Sequence, residues 1–152
     1  MACPFFMPTE KFENGAWAHP ARLPLGCGWS GHCTAPGHEG ENPTVDELQQ
    51  FCNLGYAESC PRLPRERPWD QVRFGARNVS SSSNGSKQCI HMSYVCERSH
   101  LPVEHGVLQF DVSSDRWIKR HPESQLQRLA ECFLDSYLQA RRNQQPAGAA
   151  AS

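Results

Sequence analysis

Large apolar residues are scarce in this chain. Leu, Ile, Val and Phe together account for 27 of the 152 residues, about 18%, and no apolar run approaches the roughly 18 residues of a membrane-spanning helix. Such a composition indicates disorder when the net charge is also high. Here fifteen Lys and Arg are set against sixteen Asp and Glu, a formal charge of −1. We therefore expect a folded chain with a thin core that needs additional cross-linking.

An excess of positive charge is also absent. The whole chain therefore has no electrostatic attraction for nucleic acid or for an anionic membrane, and we expect neither as a partner. The first eight residues, MACPFFMP, lack the basic segment and the apolar run of a secretory signal peptide. We expect a cytoplasmic protein whose partner is another protein or a redox partner. In the cytoplasm, cysteines are more often metal ligands or reactive groups than disulfides.

The two halves of the chain differ in composition. Residues 1–68 contain nine of the twelve prolines, seven of the eleven glycines and five of the eight cysteines. Proline fixes φ and removes a backbone donor, so this half is predicted to be mostly loop. We expect one domain over residues 1–145, cross-linked by metal, in which 1–68 binds the metal and 69–145 forms a sheet and a helix. Residues 146–152 are predicted to be a disordered tail.

Periodicity predicts an α+β fold. Thr44 and Glu47 form a capping-box pattern at the start of a short helix over 45–53. Alternating apolar residues predict a small antiparallel sheet over about 72–113, in which residues 98–106 are expected to form a wide connection. An apolar stripe with a spacing of three and four residues predicts a C-terminal amphipathic helix over about 122–142.

The spacing of the cysteines does not match the common zinc motifs. Zinc ribbons and fingers place ligands in C-x2-C pairs, and ferredoxins use runs such as C-x2-C-x2-C; neither occurs here. Two of the cysteines, Cys3 and Cys60, directly precede a proline, as does the last cysteine of a ferredoxin run. Widely spaced cysteines can close around a four-iron cluster, which is larger than one zinc ion. Nearby aromatic residues would shield such a group from solvent; they are Phe5, Phe6, Trp29, Phe51 and Tyr56.

The strings CPFF, CTAPG and CNLGYAESCPR resemble the spread-out four-cysteine pattern of small, mostly uncharacterised bacterial iron–sulfur proteins. The resemblance covers residues 3–64. It implies a [4Fe–4S] cluster whose ligands are Cys3, Cys33, Cys52 and Cys60. Cys27 is a fifth cysteine in the same half, and it is open whether it replaces Cys33 as a ligand.

Three other interpretations stay open. The N-terminal cysteines could bind zinc in a structural interaction module, or they could be structural thiols or disulfides. Cys96 lies close in sequence to His100 and His105, which together could form a thiol enzyme's nucleophile and base. No common catalytic motif is present, so enzymatic activity is undecided and a non-enzymatic role is favoured. If a cluster binds, its role could be structural, electron transfer or redox sensing.

Overall fold

We describe the fold from a computed structural model, which describes residues 1–12, 17, 23–54, 57–80 and 88–144. The fold is α+β, as the sequence predicts. Residues 81–87, the predicted tail at 146–152 and Tyr56 lie outside the described residues. The elements are β1 (Phe6–Lys11), β2 (Trp29–Cys33), α1 (Val45–Glu47), β3 (Gln71–Ser80), β4 (Gln88–Arg98), β5 (Leu101–Asp111), β6 (Arg116–Lys119) and α2 (Ser124–Gln144).

The larger sheet is an antiparallel meander in the order β3-β4-β5-β6. Its even-numbered residues on β4 point toward the core: Ile90 and Met92 are fully buried, and their partners on β5 are Phe110 and Leu108. The apolar stripe of α2 covers this face, where Ala130 and Leu134 join the same buried cluster. The predicted sheet and C-terminal helix are therefore present.

The connection between β4 and β5 is tighter than predicted. Arg98 pairs directly with Leu101, so only Ser99 and His100 form the turn. Both have positive φ, 50° and 65°, as a type I′ turn requires. The expected wide connection over 98–106 was wrong because Pro102 lies within β5 beside a β-bulge, a position where its missing N–H is tolerated. Strand β6 was not predicted.

The N-terminal half contains a second sheet that the sequence analysis did not predict. Strands β1 and β2 pair antiparallel, with Phe6 opposite Cys33 and Pro8 opposite Gly31. A Cβ atom on Gly31 would lie 2.0 Å from the Met7 carbonyl oxygen. Glycine therefore permits the close backbone approach opposite a proline, and this small sheet fixes Cys33 beside the start of β1.

The predicted short helix is present but changes its geometry. It begins with α-helical Val45–Glu47 and continues as a π-helix over Leu48–Asn53. The Thr44 hydroxyl accepts the Glu47 N–H at 3.2 Å, as the capping-box pattern predicts. The side chain of Asn53 is buried. Its Oδ1 atom accepts a hydrogen bond from the Trp29 N–H, and its Nδ2 atom donates one to the Trp29 carbonyl oxygen, both at 2.9 Å. The π-helix is thereby attached to β2.

The two halves share one core. A buried cluster includes Phe6, Trp29 and Leu48 from the first half together with Val72 and Leu129 from the second. The backbone of Ala2 also exchanges two hydrogen bonds with Val72, at 2.9 and 3.0 Å. In the described part of the chain, no helix is both long enough and apolar enough to cross a membrane.

Candidate metal centre

Four cysteines from four separate segments line one cavity: Cys3, Cys33, Cys52 and Cys60. Cys3 precedes β1, Cys33 ends β2, Cys52 lies in the π-helix and Cys60 follows a short 3-10 helix. The first three are 9% exposed, and Cys60 is half-buried. The structure thus brings together the four residues that the resemblance implies as ligands.

The two Cys-Pro pairs form matching turns. In each, the carbonyl oxygen of the cysteine accepts a hydrogen bond from the amide three residues later: Phe6 N–H to Cys3, and Leu63 N–H to Cys60, both at 3.1 Å. Proline therefore occupies the second position of the turn, where its fixed φ is favoured and an N–H is not needed. In each turn, the backbone N–H groups of the two residues after the proline lie close to the sulfur of the cysteine.

Backbone N–H groups surround three of the sulfurs. Burial has the largest effect on the pKa values of Cys3 and Cys60 and raises them. Hydrogen bonds from the Phe5 and Phe6 amides to Cys3, and from the Arg62 and Leu63 amides to Cys60, act in the opposite direction. The Ala35 N–H donates to the Cys33 sulfur at 3.4 Å. Such donors stabilise thiolates, and hydrogen bonds to sulfur help to set the potential of iron–sulfur clusters.

Burial opposes these donors and favours the protonated thiol at Cys3, Cys52 and Cys60. It is the largest cause that raises the pKa of Cys3 to about 12, and it also raises the pKa values of Cys52 and Cys60. After burial, charge on Cys33 also raises the pKa of each of the other three thiols, and charge on Cys60 raises those of Cys3 and Cys52. The four sulfurs therefore lie close enough to interact. A bound cationic metal centre would lower the pKa values of these thiols and favour the thiolates, because thiolates are its preferred ligands.

Backbone hydrogen bonds hold the cysteine segments in place. The Cys3 N–H donates to the Cys52 carbonyl oxygen at 3.2 Å, and the Thr34 N–H donates to the Phe5 carbonyl oxygen at 2.8 Å. The Cys33 N–H donates to the carbonyl oxygen of Glu41 at 2.8 Å. The positions of the sulfurs are therefore set by the fold and not by side-chain rotamers alone.

The cavity has an aromatic lining and a charged rim. Phe5, Phe6 and Phe51 line it, together with Glu47 and Arg62. The Arg62 guanidinium forms ion pairs with Glu47 and, at 2.7 Å, with Glu41, and its side chain is only 19% exposed. Arg62 was not among the predicted site residues; its position two residues after Cys60 was the available signal. Trp29 and Leu48 pack in the buried cluster that contains Cys3 and Cys52.

Cys27 lies elsewhere. Its sulfur is 3.5 Å from the Ser136 hydroxyl oxygen on α2, and it interacts electrostatically with Cys132. Among the described residues that line the four-cysteine cavity, Cys33 is present and Cys27 is absent. Of the two alternatives left open by the sequence, the geometry favours Cys33.

The structure does not bring together Cys96, His100 and His105, the residues of the predicted thiol enzyme. Cys96 is fully buried and faces Glu104 across the sheet, and burial is the first cause that raises its pKa to about 12. His105 pairs with Val95 and so lies on the opposite, exposed face. The His100 ring is 69% exposed and contacts the Glu58 carboxylate at 3.2 Å. A buried, protonated thiol that a substrate from solution cannot reach is poorly suited to be a catalytic nucleophile.

A buried histidine that the sequence analysis did not single out orders the start of α2. The Nδ1 atom of His121 accepts the Glu123 N–H at 3.0 Å, so Nε2 carries the proton and donates to Glu104 at 2.9 Å. The Tyr94 hydroxyl donates to the same carboxylate oxygen at 3.1 Å. This network anchors α2 to the sheet.

Within the ranges described above, no group of three or more His, Cys, Asp or Glu side chains is arranged so that it could hold a metal ion. Comparison with family models, with curated proteins and with solved structures found nothing similar to this chain. The assignment of the site therefore depends on its own geometry.

Proposed function

We propose that this protein binds a [4Fe–4S] cluster through Cys3, Cys33, Cys52 and Cys60. The observation that carries the proposal is the convergence of these four cysteines, which are widely spaced in sequence, on one cavity. Cytoplasmic thiols of this kind are more often metal ligands than disulfides. The protein's role is to hold the cluster, with a protein or redox partner as the expected partner; the test below distinguishes electron transfer from redox sensing.

The donor set fits a cluster in three respects. It supplies four thiols, the ligand number of a [4Fe–4S] centre. Backbone amides point at three of the sulfurs, and the Phe side chains of the lining exclude water. The absence of a single-ion arrangement concerns ligands gathered around one point, whereas the four ligands of a cluster bind different irons. When bound, the cluster would supply reversible one-electron chemistry.

Each part of the site then has a physical task. The thiolates hold the irons, and the peptide N–H groups stabilise negative charge on sulfur. Arg62 places a positive charge beside an anionic centre, while Glu41 and Glu47 hold its guanidinium in position. Phe51 and Phe5 limit solvent access. Cys60 is the most exposed of the four ligands, so the partner is expected to approach from its side.

A structural zinc site is the second candidate. The same four thiols could bind zinc, which requires all sulfurs at about 2.3 Å from one ion. The sequence lacks the C-x2-C pairs of the common zinc motifs. The cluster is therefore the proposal, and zinc is a defined outcome of its test.

The test is anaerobic purification of the full chain followed by iron, acid-labile sulfide and zinc analysis. We expect about four irons and four sulfides per chain and a brown product, as the composition of the cluster requires. A colourless anaerobic product with stoichiometric zinc and no iron would establish the alternative. Reversible reduction without loss of iron would indicate electron transfer, and loss of the cluster on oxidation would indicate sensing.

A further inference from the structure

A second pair of cysteines lies outside the four-cysteine cavity, where the loop before β2 contacts α2. Gly26 has a φ of +79°, and a Cβ atom built on it would lie 2.4 Å from the Ser136 Cβ. The loop backbone therefore rests directly on the helix. The next residue, Cys27, places its sulfur 3.5 Å from the Ser136 hydroxyl oxygen.

Cys132 lies one helical turn from Ser136 on the same face of α2. Residues four apart on a helix have Cβ atoms about 5–6 Å apart, so the Cys27 sulfur, which contacts Ser136, lies near the Cys132 side chain. Cys27 packs against the buried cluster that contains Cys132. Charge on Cys27 is also among the causes, after burial, that raise the pKa of Cys132.

We propose that Cys27 and Cys132 are a site of reversible oxidation that forms a disulfide when the protein encounters a hydroperoxide. The two residues differ in a way that suits this chemistry. Cys27 is partly exposed and can meet the oxidant, whereas Cys132 is 1% exposed and can react only with a group already placed beside it.

The reaction proceeds in two balanced steps. The Cys27 thiolate attacks the terminal oxygen of the hydroperoxide; the O–O bond breaks, the alkoxide leaves and takes up a proton, and Cys27 becomes a sulfenic acid. The Cys132 sulfur then attacks the Cys27 sulfur and the S–O bond breaks. The released hydroxide combines with the proton of Cys132 to give water. Overall, two thiols lose two electrons and two protons, and the peroxide is reduced to an alcohol and water.

The bond would join the N-terminal half to α2. Cross-links between residues far apart in sequence restrict the unfolded chain strongly and so stabilise the fold. Oxidation would therefore raise the melting temperature. A dithiol reductant would reverse the change.

The test uses the full chain, purified anaerobically, treated with tert-butyl hydroperoxide and then with an alkylating reagent. Digestion combines trypsin with chymotrypsin, because cleavage after Trp29 separates Cys27 from Cys33. We expect a cross-linked peptide that joins Cys27 to Cys132, an intact mass lower by two hydrogens before alkylation, and recovery of both thiols with dithiothreitol.

Two variants sharpen the test. In Cys27→Ser, the Cys132 thiol should stay reduced and the oxidative rise in melting temperature should vanish; Cys89→Ser, which removes another partly exposed thiol, should behave like wild type. The proposal is overturned if Cys27 stops at the sulfenic acid with Cys132 free, or if both thiols stay fully alkylatable. It is also overturned if Cys27 pairs mainly with another cysteine. Iron content in Cys27→Ser reports separately on the cluster.

Discussion

The backbone N–H of Cys3 donates to the carbonyl oxygen of Cys52 at 3.2 Å. This bond joins two of the four cysteines that line the cavity, although they lie on either side of the small N-terminal sheet in the sequence. It fixes the distance between their segments independently of any bound group. The site is therefore organised by the polypeptide, and substitutions at individual sulfurs should change cluster binding more than the fold.

The first prediction separates Cys33 from Cys27. Cys33 lines the cavity, so Cys33→Ser should lose most of the bound iron and sulfide because one cluster ligand is missing. Cys27→Ser should retain both, since its sulfur contacts Ser136 instead. Iron and sulfide analysis with the visible absorption spectrum measures the difference. The reverse pattern would show that Cys27 is the ligand.

A second prediction concerns the charge of Arg62. Replacing it by Gln removes a positive charge beside the cavity, and reduction adds negative charge to the cluster, so the reduction potential should fall. Arg62→Lys keeps the charge and is the matched control. A redox titration followed by electron paramagnetic resonance provides the measurement. Equal potentials for wild type, Arg62→Lys and Arg62→Gln would show that Arg62 serves only its ion pairs with Glu41 and Glu47.

Removal of the cluster should loosen the two halves unequally. The N-terminal half has few large apolar residues, whereas β4, β5 and α2 share their own buried cluster. We expect amide hydrogen exchange to accelerate first around Cys3, Cys33 and Cys52, while the centre of the four-stranded sheet stays protected. Exchange measured by mass spectrometry before and after chelation tests this. Uniform acceleration over both halves would contradict it.

The β4–β5 turn offers a stabilising substitution. His100 has a φ of +65°, a conformation that costs non-glycine residues energy and that glycine adopts freely. His100→Gly should therefore raise stability by up to about 1 kcal/mol, or roughly 2–4 °C in melting temperature for a chain of this size. Thermal unfolding measures it. A decrease would mean that the exposed contact between His100 and Glu58 outweighs the backbone strain.

Alkaline pH should destabilise the fold through its buried thiols. The pKa of Cys96 is raised from 9.0 to about 12, so the unfolded chain loses this proton more easily than the folded one. The contribution is fully present below pH 9 and is lost as the pH rises toward 12. In Cys96→Ala the melting temperature should decline less steeply over this range. Cys89→Ala, at a partly exposed position, is the control and should keep the wild-type slope.

Some features were predictable because they depend on neighbouring residues. The Thr44 cap, the alternation along β4 and the stripe of α2 follow from local hydrogen bonding and from the period of each element. The β1–β2 sheet was not predictable in the same way. Its strands are short, and β1 contains Pro8 while β2 contains Gly31. The need for glycine at position 31 becomes visible only when Pro8 lies opposite. The wide connection over 98–106 was wrong because Pro102 sits at an irregular point of a strand.

The sequence by itself determined the α+β class, the low content of large apolar residues and the five cysteines in the first half. It also singled out the Cys-Pro pairs, because proline imposes its turn geometry locally. Only the tertiary structure decided which thiols lie together. It placed Cys33 in the cavity and Cys27 against α2, and it brought Arg62 to the rim. Those relationships depend on how distant segments pack, since contact between residues far apart in a chain is fixed by the shared core and not by their spacing.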